Sequence, residues 1–296
     1  MSDYVISCCS SCDLDRTIMQ ERDLSFINFH VLVDETTYPD DMGLSLPSEK
    51  LFQMMIDGAQ TKTSQPSMGE FLEYFESFLR EGKDVIHVSL SSGISGAYNS
   101  ACAARDELKE KYPDRKLYVV DSLAASSGYG LIMTAMADKR DEGMSLEDLH
   151  VWVEDHKLNL HHWFFSTDLT FYIRGGRITK AEGFVGQLLK ICPLLNVDYK
   201  GRLTPREKMP GRKKAIRRAV QKMKEFAQDR ENYSGACYIS HSMIDEDTAL
   251  TARLIEEAFP KLKDGKVQIF PIGATIGAHT GPGTIAVFFW GDKRNN

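Results

Sequence analysis

Short runs of β-branched and aromatic residues alternate with helical patterns through the first half of the chain. Four such runs predict strands, at residues 4–8, 27–33, 85–90 and 117–121. Helices are predicted from a capping box at Ser67 and Glu70, over 96–111 and 122–139, and from Ser145 onward. Strands that alternate with helices predict an α/β unit whose parallel sheet is covered on both faces.

The second half of the chain has a different pattern. Strands are predicted at residues 163–167, 194–199, 236–241, 267–271 and 285–290. Two long amphipathic helices are predicted at about 212–228 and 245–259. We therefore expect an α+β unit, with a mixed or antiparallel sheet and helices on one face. The change of pattern puts the domain boundary near residue 160, giving domains 1–160 and 161–296.

Composition and charge narrow the classes of function. The chain has 296 residues, 36 basic and 42 acidic, for a net charge of −6, which disfavours nucleic-acid binding. It has no apolar run long enough to span a bilayer and no secretion signal at its start, so we expect a cytoplasmic protein. Six cysteines are then expected to be thiols: Cys8, Cys9, Cys12, Cys102, Cys192 and Cys237.

Three clusters of small polar residues interrupt the patterns, at 63–67, 91–96 and 277–283. Turn formation alone explains each of them, because turns favour Gly, Ser and Pro. The second cluster also follows a predicted strand and precedes a helix, where open α/β sheets bind ligands. The free amides at the start of that helix and the hydroxyls of Ser91, Ser92 and Ser95 favour a carboxylate or phosphate. No Gly-Lys-Ser/Thr follows, so the cluster is not a nucleotide-binding P-loop.

A serine hydrolase is the competing interpretation of this cluster. The segment 93–97 (Gly-Ile-Ser-Gly-Ala) nearly matches the G-x-S-x-G nucleophile elbow. Ser95, Asp121 and His279 also occur in the order of the α/β-hydrolase triad. The match is loose, since most long chains contain an Asp and a His in that order.

Two further motifs have a functional and an ordinary interpretation. Cys9 and Cys12 form a C-x-x-C pair, which indicates a thiol redox protein or else a loop of small residues at the sheet edge. No second Cys/His pair with zinc-like spacing accompanies it, so no metal site is expected. Arg174, Gly175, Gly176 and Arg177 form either an anion-binding turn or a plain exposed one.

Taken together, the motifs resemble the DegV family of bacterial fatty-acid-binding proteins over nearly the whole chain. The matching segments are TSQPS at 63–67, LSSGISGAYNS at 90–100, VDS at 120–122, RGGRITK at 174–180, GFVGQLLKI at 183–191 and HTGPGT at 279–284. The resemblance implies a Rossmann-like N-terminal domain and an α+β C-terminal domain with one long-chain fatty acid buried between them.

The resemblance also implies a site and a role. Thr63 and Ser95 would hold the carboxylate, and His279 and Arg177 would support it. A separate ATP-dependent kinase would phosphorylate the bound acid to an acyl phosphate. The protein itself would be a carrier and not an enzyme, without metal or nucleotide cofactor.

Two positions depart from the family pattern. The family often has T-D-S-T after the first strand, where this chain has Cys8-Cys9-Ser10-Ser11, so Cys9 replaces the usual aspartate. The usual S-G-T becomes Ser95-Gly96-Ala97, which loses one hydroxyl but keeps the expected ligand. Candidate residues for the wall of the acyl tunnel are Phe71, Phe75, Ile94, Phe184 and Leu188, although core packing explains them equally well.

Overall fold

The structure, a computed structural model, describes residues 4–179 and 191–295. Its strands there are β1 (Tyr4–Cys9), β2 (Leu24–Ile27), β3 (His30–Val33), β4 (Thr36–Pro39), β5 (Thr61–Ser64), β6 (Asp84–Ser89), β7 (Leu117–Asp121), β8 (Leu160–Ser166), β9 (Cys192–Val197), β10 (Leu203–Met209), β11 (Cys237–His241), β12 (Gln268–Pro271) and β13 (Thr284–Trp290). Its helices there are α1 (Arg16–Glu21), α2 (Ser48–Ile56), α3 (Met68–Arg80), α4 (Ala97–Lys111), α5 (Ser126–Asp141), α6 (Leu146–His156), α7 (Thr170–Arg174), α8 (Arg212–Phe226), α9 (Asp245–Ala258) and α10 (Ala274–Thr280).

A parallel sheet in the order β2-β1-β6-β7 forms the first half of the molecule. Its central strands are buried on both faces, as their nearly continuous apolar sequence requires. Helices α3 and α4 cover one face, and α5 and α6 cover the other. This arrangement confirms the predicted α/β class.

A mixed sheet in the order β10-β9-β8-β13-β11-β12 forms the second half. Only β11 and β12 run parallel, and the other neighbours in this sheet are antiparallel. Helices α8 and α9 pack on one face, as predicted, and α5 from the first half packs on the other. Helix α5 therefore lies between the two sheets. The domain boundary near residue 160 stays a prediction; the new sheet begins with β8 at Leu160.

A small antiparallel sheet, β4-β3-β5, is the main difference from the predicted fold. Residues 27–33 were expected to form one strand, but the chain leaves the parallel sheet after Ile27 and enters the small sheet at His30. The break lies at Asn28 and Phe29, where no glycine or proline marks it. The small sheet matters for the candidate site because its strand β5 carries Thr63.

Candidate functional site

A cavity lies where the three sheets and α10 meet, with about 730 Å³ of space when the solvent at its mouth is included. Most of its wall is apolar, and several of the large side chains that line it, such as Phe164, Tyr172 and Phe288, are almost fully buried. A cavity with this lining suits an apolar ligand.

One end of the cavity is polar. Thr63, Ser95, Arg177 and His279 all line it, so the structure brings together four residues from four separate sequence motifs. Each of the four is only half-buried. We call the part of the wall formed by these four residues the polar end of the cavity; the rest is mostly apolar, although it includes the buried polar residues Ser126, His162, Thr275, Thr280 and Thr284.

Each of these side chains is positioned by a different element. Thr63 lies on β5, where it pairs with Val31 of β3. Ser95 lies in the loop between β6 and α4, and His279 lies in the last turn of α10. Arg177 follows α7, in the turn that begins with Gly175. The site thus depends on the packing of α10 and α7 against the first half of the chain.

His279 is the most constrained residue of the polar end. Its Nε2 lies 2.7 Å from Thr63 Oγ1, and its buried Nδ1 has no hydrogen-bond partner. A Cβ at Gly175 would lie only 2.2 Å from that Nδ1, so only glycine fits beside the ring. Burial and the neighbouring Arg177 lower the pKa of His279 to about 4, so the imidazole is neutral at pH 7.

Arg177 supplies a positive charge that no carboxylate in the described residues neutralises. Its Nε donates to the carbonyl of Ile94 at 3.1 Å, and its Nη1 donates to the carbonyl of Gly175 at 2.6 Å. Burial lowers its pKa from the usual value for arginine, but the guanidinium remains charged at neutral pH. A buried cation of this kind favours an anionic partner.

The hydroxyl of Ser95 is held loosely. Its Oγ accepts from the amide of Ala97 at 3.2 Å, and it donates to Oε1 of Gln65 over a long distance of 3.5 Å. Ser91 and Ser92, which the sequence suggested as further donors to the ligand, do not line the cavity. Ser91 instead donates to the carbonyl of Gly201 at 2.8 Å, which ties this loop to the turn between β9 and β10.

The hydrolase triad is not assembled. Oδ1 of Asp121 accepts from the backbone amides of Ser92 and Leu123, at 3.0 and 3.1 Å. His279 contacts Thr63 and has no partner at Nδ1, where a triad histidine meets its carboxylate. The three residues therefore occur in the expected sequence order without the geometry of a nucleophile, base and orienting acid.

The cysteines near the first strand are core residues. Cys12 Sγ lies 3.7 Å from Cys8 Sγ, so the thiol contact in this segment does not follow the C-x-x-C spacing of Cys9 and Cys12. Cys9 is fully buried beside His87, and burial raises its thiol pKa to about 12. Such a thiol is protonated and inert at neutral pH, which argues against redox chemistry at Cys9.

The suggested tunnel residues divide into three groups. Ile94 lines the cavity. Phe71 and Phe75 do not, because α3 directs both rings into the core against His87. Phe184 and Leu188, like most of the segment 183–191, lie outside the described residues.

The sequence pattern did not reveal Gln65 or Gly175 as parts of the site. Both lie within matched segments, but their roles come from contacts between distant loops, which periodicity does not encode. In the part of the chain that the structure describes, no three His, Cys, Asp or Glu side chains are placed to hold a metal ion. No helix there is long and apolar enough to cross a membrane.

Comparisons with known proteins agree over nearly the whole chain. A family model described as an uncharacterised protein of the DegV family matches residues 6–292. A DegV domain-containing protein of Clostridium perfringens is 35% identical over 295 residues, which cover 99% of both chains.

Two solved structures are similar to this fold throughout. A DegV family protein from Thermus thermophilus, described by its fatty acid binding, has a TM-score of 0.84 and 27% identity, covering 98% of this chain and 99% of that chain. DegV of Bacillus subtilis, described as a fatty acid binding protein, has a TM-score of 0.83 and 26% identity, covering 99% of this chain and all of that chain.

Proposed function

The chain belongs to the DegV family, and on that premise we propose that it binds one long-chain fatty acid, such as palmitate, in the cavity between its two halves. The carboxylate would lie at the polar end, between Thr63, Ser95, Arg177 and His279. The observation that carries the proposal is the lining of this cavity: four half-buried polar side chains, one of them a cation, share a mostly apolar wall with buried side chains such as Phe164 and Phe288. Such a wall matches the polar head group and the apolar tail of a fatty acid. The solved relatives described as fatty-acid-binding proteins support the same class of ligand.

The tail and the carboxylate of a fatty acid would contribute differently to the binding free energy. Moving a sixteen-carbon tail out of water stabilises the complex by roughly 10 kcal/mol, at about 0.8 kcal/mol per methylene. Ordering the tail and losing free motion cost several kcal/mol of that gain. The carboxylate contributes little unless it is paired, because an unpaired buried charge is costly. Hydroxyl hydrogens from Thr63 and Ser95 and the charge of Arg177 offset that cost, so the tail supplies affinity and the head group sets orientation.

Binding, and not catalysis, is the role proposed for Ser95. With a carboxylate beside it, its oxygen acts as a hydrogen-bond donor. No base in the described residues is placed to remove its proton, since its bonds go to Gln65 and Ala97.

The test is native mass spectrometry of the purified protein, followed by extraction and identification of any bound lipid. We expect one acyl chain per protein molecule, and we expect Ser95→Ala to retain it less well. Ser92→Ala is the matched control, because Ser92 is an exposed neighbour outside the cavity wall. A protein that is purified empty and does not take up added palmitate would contradict the proposal.

We also propose that the bound acid is presented to a separate ATP-dependent fatty acid kinase, as the family resemblance implies. In that reaction a carboxylate oxygen attacks the γ-phosphorus of ATP, the acyl phosphate forms and ADP leaves. Because the four head-group residues are half-buried, the carboxylate would lie within reach of a partner's active site. This role places the protein in the cytoplasm, where ATP is available.

The kinase step is tested with protein loaded with labelled palmitate, the purified fatty acid kinase of the same organism, and ATP. We expect acyl phosphate, which hydroxylamine traps as the hydroxamate. No hydroxamate from loaded protein, with an active kinase, would contradict presentation while leaving fatty acid binding intact.

A further inference from the structure

Gln65 links the two segments that carry the proposed hydroxyl donors. It follows Thr63 by two residues, yet its side chain contacts the loop that carries Ser95. Its Nε2 donates to Ser100 Oγ on α4 at 2.9 Å, and its Oε1 accepts from Ser95 Oγ at 3.5 Å. Gln65 itself does not line the cavity. Its contacts are therefore with the site's residues and not with the space a ligand would occupy.

The backbone on both sides of Gln65 is anchored. Before it, β5 ends at Ser64, which is paired with His30 of β3. After it, Ser67 caps α3 through a reciprocal capping box with Glu70. The backbone of Gln65 is therefore held on both sides. Its side-chain amide is then positioned by its contacts with Ser95 and Ser100.

Close packing holds the amide against the Ser95 loop. A Cβ at Gly96 would lie 2.7 Å from Gln65 Oε1, so the amide packs directly on the backbone at Gly96 and a larger residue there would displace it. Gly96 also precedes α4, whose first residue, Ala97, donates its amide to Ser95 Oγ. The amide of Gln65 thus fixes both the loop and the start of the helix beside the proposed head-group site.

The hydrogen bonds of Ser95 show what this contact can do. Ser95 has one hydroxyl hydrogen, and in the structure it points to Gln65 Oε1 over 3.5 Å. A bond of that length is weak, so the hydrogen can turn to a ligand's carboxylate at little cost. Glutamine accepts this hydrogen without carrying charge, whereas a carboxylate at the same place would retain it and repel the ligand.

We propose that Gln65 is a positioning residue of the fatty acid site. It holds the Ser95 hydroxyl in a fixed orientation and at a fixed separation from Thr63. The bond from Ser95 to Gln65 is weak enough for the hydroxyl to donate to the ligand instead. This inference rests on the proposed function and assigns a role to a residue that does not touch the ligand.

A double-mutant cycle tests whether Gln65 acts through Ser95. Dissociation constants for labelled palmitate are measured for wild type, Gln65→Ala, Ser95→Ala and the double variant. We expect Gln65→Ala to weaken binding by about threefold to tenfold in the wild-type background, because the Ser95 loop loses its contact with the amide and the hydroxyl is no longer held beside the ligand. In the Ser95→Ala background we expect less than about twofold, since coupled residues are not additive. An equal loss in both backgrounds would mean a merely structural role and would overturn the inference.

Gln65→Glu, compared between a charged and an uncharged ligand, provides the second readout. Glutamate keeps the shape of the side chain but adds a negative charge beside the carboxylate. We expect it to weaken palmitate binding more than Gln65→Ala does, and to leave binding of hexadecanol, measured by competition, within about twofold of wild type. Equal losses for both ligands would indicate damage to the fold and would count against the inference.

Ser64→Ala is the matched control, because Ser64 is exposed in the same segment and is not among the cavity residues. The two proposals fail in different ways. If wild type binds no palmitate, the proposed function fails and takes this inference with it. If wild type binds palmitate and both Gln65 variants behave like Ser64→Ala, only the role of Gln65 is overturned.

Discussion

Gly175 and His279 show how a single missing side chain shapes the candidate site. The imidazole occupies the space where any other residue at position 175 would place its Cβ, 2.2 Å from Nδ1. Gly175 has an ordinary helical φ of −72°, so the backbone does not require glycine there. Contact with His279 is therefore what requires it.

Gly175→Ala should displace the His279 ring and break its contact with Thr63. We expect palmitate affinity to fall by about tenfold or more, since a misplaced polar group at the head-group end leaves buried hydrogen-bond donors unpaired. Gly69→Ala is the control, because a Cβ there would meet nothing closer than 3.9 Å. Equal palmitate affinities for the two variants, measured by titration, would show that His279 tolerates the added methyl group.

The sequence supplied the head-group residues through the family resemblance, and the structure brings all four of them to one end of the cavity. Gln65 and Gly175 were not predicted, for a physical reason. The role of Gln65 depends on its contact with Ser100, 35 positions later. The role of Gly175 depends on its contact with His279, 104 positions later. Local periodicity describes neighbours on one element and carries no information about such pairs.

His87 gives the pH dependence of stability a specific source. Its ring is fully buried between Phe71 and Phe75, and burial lowers its pKa from 6.5 to about 3. The unfolded chain therefore binds a proton between pH 6.5 and 3 that the folded protein does not. This difference lowers the free energy of unfolding as the pH falls from 6.5.

His87→Phe should remove that dependence while preserving the aromatic packing. Between pH 7 and pH 5, wild type should lose about 2 kcal/mol more of its unfolding free energy than the variant does. Urea unfolding of both proteins at the two pH values measures this difference. Identical losses would show that His87 is protonated as easily in the folded protein as in the unfolded chain.

At the scale of elements, predictions succeeded where the pattern was long. Helices α3 and α4 begin within a residue of their predicted starts, because a capping box or a clear amphipathic run marks each start. The elements that carry the site are short: β5 has four residues and α10 has seven. Helix α10 was missed because it is short and contains Thr275, Gly277 and Thr280, residue types with low helix propensity.

Arg294 joins elements from the two halves near the end of the chain. Its side chain is nearly fully buried and donates to the carbonyls of Leu123 and Lys157 in the first half. It also donates to the carbonyls of Val197 and Asp198, at the end of β9. Burial lowers its pKa to about 10, so the guanidinium stays charged at neutral pH.

Arg294→Ala should remove the donor from these carbonyls, of which only that of Asp198 is known to keep another, the amide of Gly201, and should lower the free energy of unfolding by about 3 kcal/mol. Lys293→Ala, at the exposed neighbouring position, should change it by less than about 0.5 kcal/mol. Chemical denaturation of both variants measures the difference. A similar, small effect for the two would mean that solvent replaces the contacts of Arg294.

At the scale of the whole molecule, the cavity follows from the arrangement of layers. The parallel sheet and the mixed sheet share α5 as a common middle layer, and the cavity lies beyond the start of that helix, at Ala125 and Ser126. Fold class was predictable because alternation of strands and helices reports it. The cavity was not, because it depends on how three sheets meet, and candidate wall residues such as Phe71 belong to the ordinary core.

A crystal structure of the protein loaded with palmitate tests the account most directly. We expect one continuous acyl chain in the cavity, with its carboxylate oxygens within about 3.2 Å of Thr63 Oγ1 and Ser95 Oγ. The tail should extend inward toward Phe164 and Phe288, two buried residues of the cavity wall. An empty cavity at saturating palmitate, or a chain bound with its carboxylate at the buried end, would contradict it.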